Sequence, residues 1–132
     1  MCDYGLVTKT ALKNKLWKQI AIYIKNRDGH ICQLCGKKCY KGDCHCSHIL
    51  PKSSIAYPGY EFEEWNLKCL CSTDHLRFWH KNPLEAAIKF QEMYPDRYRM
   101  VLEKAKAYKA EKKSYSVVDL MEKYQHYLKL NS

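Results

Sequence analysis

The sequence predicts an α+β protein, mainly helical, built around a small metal-ordered centre. Three observations predict it. Apolar residues recur at helical spacing over residues 8–27 and again from residue 72 onward. Residues 30–71 carry no helical period and hold the turn formers Gly36, Gly42, Pro51, Pro58 and Gly59. Seven of the eight cysteines also fall between positions 32 and 71. At 132 residues the chain is of ordinary size for one domain, expected over 1–132.

The first helix is expected over 8–27. Leu12, Leu16, Ile20 and Ile24 recur every four residues, with Trp17 and Ala21 beside them and Lys13, Lys15, Lys18 and Lys25 mostly off the stripe. Gly29, in "RDGH", breaks it. Residues 30–81 are expected to form the metal-stabilised core, where the short apolar pieces "HIC" and "HIL" suit two or three strands joined by loops. So small a centre can draw its order from zinc, because binding free energy becomes folding free energy. Ser72 reads as the cap of a short helix over 73–80.

The C-terminal helices are expected over 82–130. Asn82 as cap, Pro83 at the first helical position and Glu85 at the third start a helix that runs to about Tyr94 and stops at Pro95. A third helix places Tyr98, Val101, Leu102, Ala105 and Tyr108 on one face. The last, after Ser116 as cap, places Val117, Leu120, Met121, Tyr124, Tyr127 and Leu128 at the same spacing. That period marks the aromatic stripes as core and not as stacking platforms for bases. There is no internal repeat and no low-complexity tract.

The formal net charge is +9, and the 23 basic residues spread from Lys9 to Lys129. A globular protein this basic is expected to meet a polyanion, of which nucleic acid is the commonest. No run of about 18 apolar residues is present, and the first residues lack the apolar centre of a signal peptide. An intracellular location is therefore expected, where thiols stay reduced and clustered cysteines hold metal more often than they form disulfides.

"CQLC" sets Cys32 and Cys35 two residues apart, followed by Gly36. The spacing lets both thiolates turn onto one tetrahedral zinc ion, and the glycine permits the tight backbone. The other half of such a knuckle is offered by "LCSTDH", where Cys71 precedes Asp74 by three positions. Zinc accepts a carboxylate oxygen, so Cys32, Cys35, Cys71 and Asp74 form one set. Cys39, Cys44, Cys46, Cys69 and His75 are rivals for the fourth place.

In order along the chain stand "CQLCG", "CSHILPKS", Asn66 in "WNLKCLC" and "DHLRFWHKNP". This ordered set resembles the HNH endonuclease family, whose core is a ββα-metal fold. It is most similar to phage recombination nucleases of the NinG (Rap) type. The resemblance covers about residues 12–105, with its specific content in 32–80. It implies a histidine at the end of the first strand, an asparagine before or on the second, and a histidine on the helix that follows. Here those are His48, Asn66 and His75. Two positions depart from the pattern. Asp74 stands in place of the last knuckle cysteine, and Ser47 stands where many members carry an aspartate or histidine metal ligand.

The resemblance implies hydrolysis of DNA phosphodiester bonds, by nicking or cutting, with His48 as general base. It also implies a catalytic divalent ion (Mg²⁺, Mn²⁺, Ni²⁺ or Zn²⁺), with His75 as its first ligand. Asn66 can orient His48 or lend an oxygen to that ion, and His45 can substitute for the ligand missing at Ser47. His80 lies about 140° round an α-helix from His75, which favours a phosphate or packing contact over shared ligation. Lys52, Lys68, Arg77, His80 and Lys81 flank the site as candidate phosphate contacts. His30 and His126 fall in no pattern. The alternatives are a zinc-stabilised DNA-binding module without catalysis and an interaction protein docking a partner through its C-terminal helices. No dimer surface is marked.

Overall fold

The computed structural model describes residues 8–50, 60–111 and 115–132. Its elements are α1 (Lys9–Arg27), strands β1 (Cys44–His48) and β2 (Leu67–Cys71), a wide helical segment Thr73–Trp79, and helices α2 (Pro83–Met93), α3 (Pro95–Glu111) and α4 (Val117–Leu130). The expectation of a mainly helical α+β chain with a small central sheet is met.

α1 begins where Thr8 accepts a hydrogen bond from the Ala11 N–H at 3.0 Å. Its predicted stripe of Leu12, Leu16, Ile20 and Ile24 is buried. These residues pack with Cys46, Leu67 and Phe62, and with Leu120 and Tyr127 of α4. A second cluster joins Leu70 and the cysteine-rich segments to Phe90 of α2 and Val101 of α3. The sheet thus lies between two helical layers.

β1 and β2 are antiparallel, with Cys44 opposite Cys71, Cys46 opposite Cys69 and His48 opposite Leu67. Side chains alternate between faces, so Cys44, Cys46 and His48 share one face while His45 and Ser47 share the other. β2 is buried along its whole length although its sheet has only two strands. Among the described residues no third strand covers its outer edge, which is met by side chains and a loop. Arg27 and Arg97 donate to the Leu67 carbonyl at 2.6 and 2.8 Å, and the Cys69 N–H donates to Asp28 at 2.8 Å. The Gln33 N–H reaches the Cys69 carbonyl at 2.9 Å. Leaving those groups bare inside the protein would cost about 1–3 kcal/mol each.

Several local expectations are corrected. Ser72 does not cap the following helix; its hydroxyl and N–H are both held by Asp43. Asn82 makes no capping hydrogen bond, so α2 begins on Pro83 alone. Leu102 and Val117 are exposed, because the buried line of α3 runs through Val101 and Ala105 and that of α4 through Leu120 and Tyr127. Ser116 does cap α4, in a reciprocal box with Asp119. No described helix is long and apolar enough to cross a membrane.

Candidate active site and metal-ligand groups

The knuckle assembles as its spacing predicts. Ligand atoms of Cys32, Cys35, Cys71 and Asp74 all lie within 4.8 Å of one another, a group that could hold a metal ion. The Cys32 thiol donates to Asp74 Oδ2 at 3.0 Å, and Cys35 Sγ lies 3.9 Å from Cys71 Sγ. Gly36 has φ +75°, the left-handed conformation that closes the turn after Cys35. Burial, then the Asp74 carboxylate, pushes the Cys35 thiol up to about 12. Burial acts upward on Asp74 too, but hydrogen bonds from the three thiols outweigh it and hold the carboxyl below its ordinary value. Of the rivals for the fourth place, Cys39, Cys44 and Cys69 form a group of their own. Cys46 packs against α1. His75 belongs to a different cluster.

That cluster lines a cleft of roughly 590 Å³ beside β1, bounded by Trp17, His48, His75, Trp79 and His80. His45 Nδ1 lies 2.9 Å from His75 Nδ1, and His75 Nε2 lies 2.9 Å from His80 Nε2. The contact between His75 and His80 overturns the helical-wheel expectation. The segment Thr73–Trp79 winds with five-residue spacing, seen in the His80 N–H bonded to the His75 carbonyl at 3.1 Å. Such π-type winding stacks residues five apart on one side.

The proton positions follow from the partners. His45 Nε2 lies 2.9 Å from the Gly42 carbonyl, which can only accept. With neutral rings, His45 Nδ1 therefore accepts from His75 Nδ1, and His75 Nε2 accepts from His80 Nε2. Burial, then the neighbouring His80 and His45, lowers the His75 pKa to about 4. His75 is thus uncharged at neutral pH.

His48 stands at the end of β1, as expected, with its ring stacked on Trp17 at 5.1 Å and 12°. Its Nε2 lies 3.0 Å from the Glu61 carbonyl. The neutral ring therefore carries its proton on Nε2 and a lone pair on Nδ1. Trp17 was legible only as a residue beside the α1 stripe, and its place against His48 depends on how α1 crosses the sheet.

Asn66 comes close in chain but not to the His48 ring. Its amide accepts from the Leu50 N–H at 2.8 Å and donates to the Leu50 carbonyl at 3.1 Å, bracing the backbone just after His48. Ser47 is buried on the wall of the same cleft, where its Oγ lies 3.4 Å from the Lys68 Nζ.

Lys68 requires a correction as a phosphate contact. It is wholly buried, donates to the His48 carbonyl at 2.9 Å, and lies 3.3 Å from the Trp79 ring centroid. Burial, then the charge of Arg97, holds its pKa well below the ordinary value. On a strand buried on both faces a lysine cannot reach solvent. Arg77, His80 and Lys81 are exposed, and of the three His80 lines the cleft; Lys52 lies outside the described residues.

No family model matches the chain, and neither the curated proteins nor the solved structures yield a match. The fold and the side-chain geometry therefore carry the functional reading.

Proposed function

We propose that the protein is a metal-dependent endonuclease of the HNH type that hydrolyses DNA phosphodiester bonds, with a zinc ion at Cys32, Cys35, Cys71 and Asp74 stabilising its fold. The observation that carries the reading is one cleft lined by His48 in the base-competent tautomer and by His75, which pairs with His45. The succession of β1, β2 and a helical segment supports it, as does the net charge of +9.

His48 would take a proton from the attacking water. The Glu61 carbonyl fixes its tautomer, and Trp17 fixes the ring plane. Asn66 is a positioning residue here, because it holds the backbone that follows His48. His45 and His75 are the residues that would hold the catalytic divalent ion. Their Nδ1 atoms lie 2.9 Å apart; for both to face an ion, the His75 proton would move from Nδ1 to Nε2, against His80. His45 is already turned for this by its Gly42 hydrogen bond. The departure at Ser47 would thereby be answered two positions earlier on the chain. When bound, the ion would neutralise the phosphate and assist the leaving oxygen. The buried His75 ring remains uncharged and so does not oppose a cation. Arg77, His80 and Lys81 are placed to meet backbone phosphates, which carry no base information.

The test is plasmid nicking with Mg²⁺, Mn²⁺ or Ni²⁺, comparing wild type with His48→Ala at matched DNA affinity. Loss of about 10²–10⁴-fold in rate is expected for the variant. Nicking that survives the substitution would remove His48 as base. DNA binding without nicking under any ion would favour a DNA-binding module, and no binding at all an interaction protein.

A further inference from the structure

Three more thiols meet outside the knuckle. Cys39 comes from the loop before β1, Cys44 from the start of β1 and Cys69 from the middle of β2, and all are buried. Cys44 Sγ lies 3.1 Å and Cys39 Sγ 3.7 Å from Cys69 Sγ. Two sulfurs each about 2.3 Å from one zinc ion sit roughly 3.8 Å apart. The shorter separation is still far beyond a disulfide bond of about 2.05 Å.

Three thiolates leave one tetrahedral position open, and His30 is at hand next to Cys44, although beyond 4.8 Å from at least one of the other two sulfurs. Its Nδ1 lies 3.8 Å from Cys44 Sγ, while its Nε2 lies 3.1 Å from Asn26 Oδ1. The amide oxygen accepts, so Nε2 carries the proton and the Nδ1 lone pair faces the sulfur. Zinc-bound histidines are held in this way by an outer partner.

The backbone is shaped to present that ring. α1 is followed, after Asp28, by two left-handed residues, Gly29 at φ +66° and His30 at φ +58°. A non-glycine residue there costs about 1–2 kcal/mol, and hydrogen bonds hold it. The His30 N–H reaches the Lys25 carbonyl at 2.8 Å, and the Cys39 N–H reaches the His30 carbonyl at 2.7 Å.

We propose that Cys39, Cys44, Cys69 and His30 bind a second structural zinc ion, distinct from that of the knuckle. The two ligand sets share no residue. The second ion ties the end of α1 to the loop and to both strands. Its binding displaces the three thiol protons and leaves the His30 proton on Nε2 facing Asn26.

Elemental analysis and native mass spectrometry of the full chain, after treatment with a chelating resin, test this. Two zinc ions per chain are expected in wild type and one in Cys44→Ser. His30→Ala should keep one ion, with the other bound at least 10–100-fold more weakly in competition with a chromophoric chelator, the range lost with even an outer-shell partner. His30→Cys should restore it. Should Cys44→Ser fail to fold, His30→Ala decides, because its half-buried ring can be removed without opening the core. One zinc ion in wild type, or a second affinity untouched by His30→Ala, would overturn the proposal. An intact mass showing a Cys44–Cys69 disulfide would overturn it as well.

Discussion

The cysteine-lined and histidine-lined regions of the small sheet arrange their ligand atoms in opposite ways. At Cys32, Cys35, Cys71 and Asp74 the atoms converge, all within 4.8 Å of one another. At His45, His75 and His80 the rings instead pair off in sequence, with His75 and His80 lining an open cleft. Convergent, enclosed ligands suit an ion that stays and holds the chain together. An open position suits an ion that must share its shell with water and substrate. The two regions are joined through β2 and the segment after it, since Cys71 and Asp74 of the knuckle directly precede His75.

The largest effect is expected where convergence is broken. Cys71→Ser should lower stability by on the order of 5 kcal/mol or more, a substantial part of the about 10–16 kcal/mol of structural zinc binding. Cys46→Ala, on the paired strand β1 and also buried but outside both thiol groups, should leave zinc content unchanged and cost about 1 kcal/mol. Denaturant melts with zinc analysis check the pair, and equal losses would erase the distinction between ligand and packing cysteines.

Lys68 sharpens the boundary between the regions. Lys68→Ala removes a packed stem and leaves the His48 carbonyl without its donor, so a loss of about 3 kcal/mol is expected. The salt dependence of DNA binding should not change. A shallower salt dependence in this variant would contradict its burial.

A smaller effect tests the part of the fold remote from both regions. Tyr108 and Tyr115 donate to Glu63 at 2.7 and 3.2 Å, and Lys123 pairs with the same carboxylate at 3.0 Å. Burial, followed by Glu63, raises the Tyr115 pKa above its ordinary value of 10.0. The unfolded chain then loses its tyrosine proton first, so stability falls as pH rises above 10. The expected slope is on the order of 1 kcal/mol per pH unit for Tyr115. Tyr115→Phe should flatten that slope in alkaline melts while leaving zinc content untouched.

The smallest effect concerns the exposed rim. Arg77→Ala should weaken DNA binding with little change in stability, lowering the slope of log K against log salt by about 0.9. An unchanged slope would remove Arg77 from the phosphate contacts.

Much of this was legible in the chain. Spacing alone placed the α1 stripe, the start of α2 at Pro83 and the knuckle set including Asp74, since local geometry governs each. What escaped depends on tertiary structure or on unusual winding. Lys68 looks like any other basic residue until β2 is known to be buried on both faces. His80 seemed turned away from His75 because the wheel assumed α-helical winding, whereas Thr73–Trp79 has π-type spacing. His30 had no motif around it, and only the left-handed turn after α1 brings it to Cys44. Asn66 was read as orienting His48 or lending an oxygen to an ion, but its amide oxygen and nitrogen both meet the Leu50 backbone, which follows from the loop and not from its position in the chain.

The most direct test of the division between regions uses one sample. Purified protein, stripped of exchangeable ions by a chelating resin, is assayed for zinc, fold and plasmid nicking before and after Mg²⁺, Mn²⁺ or Ni²⁺ is added. The account predicts that zinc and circular dichroism persist through stripping while nicking disappears, and that added ion restores nicking without changing either. Loss of fold together with nicking, with neither separable by the added ion, would contradict it.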